Sequence, residues 1–221
     1  MSSLLDSTQG LRFAEAAPTA AEDLGQRLEQ LNAIGASLSA ERDIDRLLEA
    51  ILTAAKTITR ADGGTLYRVT EDQCLRFEIV RTSSLKYYLG GTTGNPVSFY
   101  PIQLYKDGKP NHNMVAPYAA LTGKTVNIAD AYTAEGFDFS GTRAFDAKTG
   151  YRSTSFLTVP MRNHDHEIIG VLQLINAKDR ETGQRVYPQP LGVIEILEQR
   201  GFQVDQAALK LKGNVHFEEY W

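Results

Sequence analysis

Apolar positions follow two periods along the chain. Leu24, Leu28, Leu31, Ile34 and Leu38 recur at spacings of four and three, and Ile44, Leu47, Leu48, Ile51, Leu52, Ala55 and Ile58 form a broader stripe at helical spacing between Asp43 and Arg60. The first stripe predicts an amphipathic or coiled-coil helix from Glu22. The second predicts a helix whose apolar face is wide enough to pack on a sheet. Beyond Ala61 the period shortens. Thr65 to Val69 and Leu75 to Val80 are apolar or β-branched runs joined by Thr70-Glu71-Asp72-Gln73, which predicts an antiparallel hairpin. Thr125 to Ile128, Thr154 to Met161 and Glu167 to Asn176 read as further strands. Within the last, all of Ile168 to Ile175 is apolar or glycine except Gln173, the pattern of a central strand covered on both faces.

The intervening segments carry turn chemistry. Residues 82 to 112 are rich in glycine, proline and asparagine and predict a long loop. Met114 to Leu121 reads as a short helix with Asn113 as its N-cap and Gly123 as its stop. Residues 130 to 150 read as a second loop holding Tyr132, Phe137, Asp138, Phe139, Arg143, Phe145 and Asp146, and a last helix is expected over residues 190 to 211 with an interruption at Gly201. Two helices, a hairpin, a loop-bound helix, strands and a final helix make an α+β fold: an antiparallel sheet with helices on one face and loops on the other. Residues 1–21 are small, polar and alanine-rich and are expected to form a disordered leader; residues 22–211 form a single domain, and 212–221 an aromatic tail.

Composition narrows the function classes. A length of 221 residues, 42% of them hydrophobic, suffices for one substantial core. A net charge of −4 leaves no basic surplus to neutralise phosphates, which argues against nucleic acid and against an anionic membrane surface. The single cysteine, Cys74, cannot form an internal disulfide, which fits a reducing cytoplasm. No phosphate-binding loop, dinucleotide fingerprint or nucleophile elbow occurs. Gly90 to Gly94 has no lysine where a phosphate cradle needs one, His164-Asp165-His166 has no further metal ligands nearby, and Asp138 and Asp146 come without an accompanying base or oxyanion donor. Cys74 reads as a half-buried, inert thiol. The sequence therefore offers no catalytic residue and no metal site. Two features suit a ligand: the start of the short helix at Asn113 to Ala116, with unpaired amides that favour an anion, and Gln173, an isolated polar group that protein or ligand must satisfy.

One family resemblance is carried by Tyr118-Ala119-Ala120-Leu121-Thr122-Gly123-Lys124-Thr125-Val126-Asn127-Ile128-Ala129-Asp130-Ala131-Tyr132, by Thr149-Gly150-Tyr151-Arg152-Ser153 leading into Phe156 to Met161, and by Glu167 to Asn176. Over about residues 25 to 180 these stretches resemble GAF domains of cyclic-nucleotide phosphodiesterases, bacterial adenylyl cyclases and bacterial sensors joined to phosphohydrolase or kinase outputs. The resemblance implies a six-stranded antiparallel sheet, helices behind it, and a pocket on the other side closed by short helices and loops. It implies a small-molecule ligand such as a cyclic nucleotide. Backbone groups of Val115 and Ala116 would lie near a phosphate, hydroxyls would come from Thr149 and Ser153, a polar group from Gln173, and the base end would be lined by Thr65 and Ile79. Ile79 stands where strong cyclic guanosine binders have an aromatic, and Asn176-Ala177-Lys178 is not followed by the family's distal Asp-Glu. Three readings follow. The first is a non-catalytic regulatory domain that signals ligand occupancy through dimeric helices to an output domain or protein. The second is a homodimeric scaffold with an empty pocket. The third is an enzyme like the free methionine sulfoxide reductases, which need several cysteines where this chain has one.

Overall fold

The structure, a computed structural model, describes residues 29, 33, 34, 36, 41–179, 182–184, 191–199 and 202–204. The leader, the tail and most of the Leu24 to Leu38 stripe lie outside them; of that stripe, Ile34 is helical and packs against the helix-side core. Helix α1 (Ile44–Thr59) begins at Asp43, whose side chain accepts the Arg46 amide at 3.0 Å, and ends at Arg60 in the left-handed region with φ 52°. Its stripe buries Ile51, Leu52 and Ala55 completely.

Strands β1 (Gly63–Val69), β2 (Cys74–Thr82), β3 (Tyr87–Gly90), β4 (Ile102–Gln103), β7 (Val126–Ile128), β8 (Phe156–Arg162) and β9 (Ile168–Ile175) form one antiparallel sheet in the order β3-β2-β1-β9-β8-β7, with β4 also on β2. A separate two-stranded ribbon, β5 (Tyr105–Lys106) and β6 (Lys109–Pro110), stands in the long loop. That segment, expected to be irregular, thus contains β3, a 3-10 turn at Gly91–Thr93, β4 and this ribbon. Helix α2 (Val115–Thr122) starts after Met114, which offers no side-chain cap, so the expected capping by Asn113 is not made; Gly123 closes the helix in the left-handed region as expected. Helix α3 (Ser140–Thr149) replaces the loop expected over 130 to 150, and helix α4 (Leu191–Gln199) covers the described part of the last helix.

The sheet separates two cores. On one face Ile79, Leu66, Leu172 and Val159 form a transverse row that meets α1 and α4. Helix α1 can approach because β1 presents Gly64, where a Cβ would lie 2.7 Å from Leu52 Cδ1. A fully buried Leu or Ile in this layer contributes about 1.5 to 3 kcal/mol. On the other face Tyr67, Val171, Phe156, Val126 and Ile128 meet α2 and the connecting loops.

Candidate functional site

Register determines what the loop-side face can present. Val80, Thr65, Gln173, Thr158 and Val126 stand opposite one another across five strands, so three polar side chains cross the middle of an otherwise apolar floor. Gln173, 7% exposed, is satisfied within the protein: its Oε1 accepts the Tyr67 hydroxyl at 3.2 Å and its Nε2 donates to Thr158 Oγ1 at 3.0 Å. Burial pushes the Tyr67 hydroxyl far above its ordinary pKa, so it remains a proton donor to Gln173.

Aromatic side chains on the loop side form two chains of ring contacts that lead onto this floor at Tyr67 and Phe156. One runs Phe145, Tyr87, Phe99, Phe77, Tyr67, with centroids 6.4, 6.4, 5.2 and 4.7 Å apart in that order. The second runs from His112 through Tyr118, Phe137 and Phe139 to Phe156 on the floor, at 5.4 to 6.4 Å. A cleft of about 370 Å³ lies away from this floor, beside Glu71 to Cys74, Gln103 and Tyr105. Burial and the Asp72 charge raise the Cys74 thiol pKa, which disfavours the reactive thiolate.

The seven residues expected to form a ligand site are divided by this geometry. Thr65 and Gln173 are paired on the loop-side floor, and Val115 and Ala116, 6% and 4% exposed, join the same apolar cluster from the first turn of α2. Ile79 is on the other side of the sheet, in the helix-side core. The Thr149 hydroxyl donates to its own helix at Phe145 O, 2.8 Å away. Ser153 is bound to Asp146: its amide meets Oδ2 at 2.7 Å and its hydroxyl meets Oδ1 at 2.8 Å. Tyr132 adds a third donor to the Asp146 carboxylate at 2.8 Å, and this hydrogen bond raises the Tyr132 pKa. Asp146 is 3% exposed, whereas Asp138 is exposed and accepts the Ser140 amide at the start of α3. The two carboxylates thus serve separate structural tasks.

Two polar clusters tie the loop side to the rest of the molecule. Asp62, just before β1, accepts Ser84 Oγ at 2.6 Å, Tyr151 Oη at 2.9 Å and Lys178 Nζ at 3.3 Å. Burial alone would raise its pKa, but these hydrogen bonds and the Lys178 charge lower it overall. On the helix side, Glu49 of α1 accepts Arg81 at 2.7 Å and both the amide and hydroxyl of Thr92, at 3.0 and 2.6 Å. Burial opposes the Glu49 charge, yet Thr92 and Arg81 hold its pKa at about 2. Sequence reading missed both clusters. Among the described residues no group of three or more His, Cys, Asp and Glu side chains could hold a metal ion, and no helix is long and apolar enough to cross a membrane.

Comparison with known proteins agrees with this architecture. The family model described as "GAF domain" matches residues 43–206. Among curated proteins, the cGMP-specific 3',5'-cyclic phosphodiesterase of Drosophila mojavensis is 29% identical over 142 residues, and that of Drosophila sechellia is 28% identical over the same length. The aligned region covers 62% of this chain and 12% and 11% of those two proteins, so the chain corresponds to a small part of each. Among solved structures, the GAF domain from Acinetobacter phosphoenolpyruvate-protein phosphotransferase superimposes with TM-score 0.53 at 16% identity, covering 78% of this chain and 87% of that one. Free methionine-R-sulfoxide reductase from Neisseria meningitidis superimposes with TM-score 0.52 at 16% identity, covering 83% and 89%. At such identities these structures bear on the fold alone.

Proposed function

Because the chain belongs to the GAF domain family, we propose that it is a non-catalytic regulatory module of a signalling protein, working through its helices and loops with its loop-side chamber closed by its own side chains. The observation that carries this reading is the Tyr67–Gln173–Thr158 row: the polar centre of the floor is satisfied internally, and the Tyr67 ring that closes the row packs against Phe77, which in turn meets Phe99. A preformed ligand site would leave Gln173 waiting for a partner. Catalysis is disfavoured by the raised Cys74 pKa and by the single cysteine, which cannot run a two-thiol redox cycle. The helix-side layer, with Ile44 of α1 64% exposed, suits association of two copies through their helices, passing a change to an output domain or protein in the cytoplasm.

A second reading, binding of a small molecule such as a cyclic nucleotide, is favoured by the polar side chains of Thr65, Gln173 and Thr158 on one floor and by the 29% identity to a protein named for cGMP. Thermal unfolding with cyclic AMP, cyclic GMP or a cyclic dinucleotide separates the two. The closed chamber predicts an unchanged Tm. Binding at a hundredfold excess over Kd contributes about 2.7 kcal/mol, and a rise of roughly 5 °C or more would establish the second reading instead. Light scattering on the same sample tests association.

A further inference from the structure

We propose that residues 91–101 are a strap that plugs the loop-side chamber with Phe99 and reports its seating to helix α1 through Glu49; the plug rests on the closed-chamber reading above. The strap is anchored at both ends. At its root, Arg81 donates to the carbonyls of Leu89 at 2.5 Å and Gly90 at 3.3 Å, and Glu49 receives Thr92 through amide and hydroxyl. The Gly90 amide donates to Asn95 O at 2.7 Å, closing a turn that only glycine fits: a Cβ at its φ of 70° would lie 1.8 Å from Glu78 O. At the far end Ile102 and Gln103 pair with Leu75 and Cys74 of β2.

Between these anchors Asn95 to Pro101 is free of helix and strand, and Pro96 and Pro101 restrict its conformations. Its side chains alternate. Phe99 turns inward between Phe77 and Tyr87, and the neighbouring Tyr100 is 92% exposed. Asn95 holds the start of this span to β3, its side-chain amide donating to Tyr88 O at 3.2 Å, and beyond it, where there is no strand pairing, Phe99 makes the ring contacts to Phe77 and Tyr87. The root of the strap shares a carboxylate with α1. A strap that lifts therefore withdraws Thr92 from Glu49 and leaves Arg81 as the remaining partner of that charge, while a change in α1 that removes Glu49 loosens the strap. Linkage requires the coupling to be equal in both directions.

Hydrogen–deuterium exchange on the full chain tests this with Phe99→Ala and Glu49→Gln. Phe99→Ala is expected to speed exchange of the Thr92 amide and of α1 around Glu49 by about tenfold or more, with β8 and β9 unchanged. Glu49→Gln is expected to speed exchange across 92–101 to a similar degree. Phe99→Leu, which keeps apolar bulk without the ring contacts, should give a smaller effect in the same places and serves if the alanine variant does not fold. Unchanged α1 exchange in both Phe99 variants, with the strap itself exchanging faster, would overturn the coupling. A nucleotide-induced rise in Tm would overturn the closed chamber instead, so the two failures are distinguishable.

Discussion

The Lys178 ammonium lies 3.3 Å from the carboxylate of Asp62, a residue 116 positions earlier in the chain. Lys178 stands in Asn176-Ala177-Lys178, which lacks the distal Asp-Glu of the family it resembles. Its partner is upstream, at the mouth of β1. The same carboxylate binds Tyr151 from the segment after α3 and Ser84 from the β2–β3 turn, so three chain segments meet on one buried charge.

This arrangement makes Asp62 and Lys178 unequal partners. Asp62 is 7% exposed, and Asp62→Ala would remove the one carboxylate that accepts from Ser84, Tyr151 and Lys178 together, a loss of about 1 to 3 kcal/mol. The Lys178 side chain is 42% exposed, and Lys178→Ala should cost under about 1 kcal/mol. Urea unfolding of the two variants measures the difference; equal losses would mean that the hydroxyl donors matter little.

Asp146 makes the parallel case within one segment. Asp146→Ala removes the acceptor of the Ser153 amide and hydroxyl and of Tyr132, at an expected cost of about 3 kcal/mol. Ser153→Ala removes one donor and should cost about 1 kcal/mol. Denaturant midpoints test the ranking, which would reverse if Ser153 faced a ligand rather than the protein.

The elements with strong periodicity were legible because their packing follows directly from it: the Ile44 to Ile58 stripe is α1, and the run with the lone Gln173 is the central strand β9. Helix α3 was not, since Ser140–Thr149 has no apolar stripe and the one residue it fully buries is the charged Asp146. Ile79 entered the expected site through the family resemblance alone; in the structure it lies in the helix-side core, next to the irregularity between Leu66 and Tyr67 that sets Phe77 and Ile79 on opposite faces of β2. The Asp62 cluster left no local signal, its partners being 22, 89 and 116 residues away.

Acid sensitivity follows from Glu49. Its pKa falls from 4.5 to about 2 on folding, so the folded state holds the proton less tightly than the unfolded chain. The stabilisation is fully present above about pH 4.5 and is lost as pH falls toward 2, with the lowered Asp62 pKa acting in the same direction. For a side chain 25% exposed the loss is on the order of 2 to 3 kcal/mol after screening. Glu49→Gln should flatten stability against pH in this window, as read by urea unfolding at intervals from pH 5 to 2.5.

Close approach at Gly64 is testable by adding one methyl. Gly64→Ala would place a Cβ 2.7 Å from Leu52 Cδ1 and 3.2 Å from Lys56 Cγ, forcing α1 away from the sheet at about 1 to 3 kcal/mol. Leu52→Val retracts the clashing carbon, so the double variant should lose less than the sum of the two single losses. Additive losses would show that strand flexibility, rather than helix packing, determines the residue at this position.

The buried row across the floor gives the last test, because removing one member differs from removing two. Gln173→Leu takes the Gln173 acceptor from the Tyr67 hydroxyl, on a residue 5% exposed, and leaves Thr65 as its remaining hydrogen-bond neighbour, so about 1 to 2 kcal/mol should be lost. Tyr67→Phe alone leaves Gln173 Oε1 without its donor and should cost a similar amount. In Tyr67→Phe with Gln173→Leu both partners become apolar, and the double variant should recover part of the combined loss, leaving the Thr158 and Thr65 hydroxyls to find new partners. A polar row held ready for a guest would behave otherwise: each single variant would unfold at the wild-type denaturant midpoint, and the effect would surface only as a lost ligand-induced rise in Tm. Denaturation of the three variants with and without nucleotide therefore reads, in one experiment, whether Gln173 serves the protein's own interior or waits for a ligand.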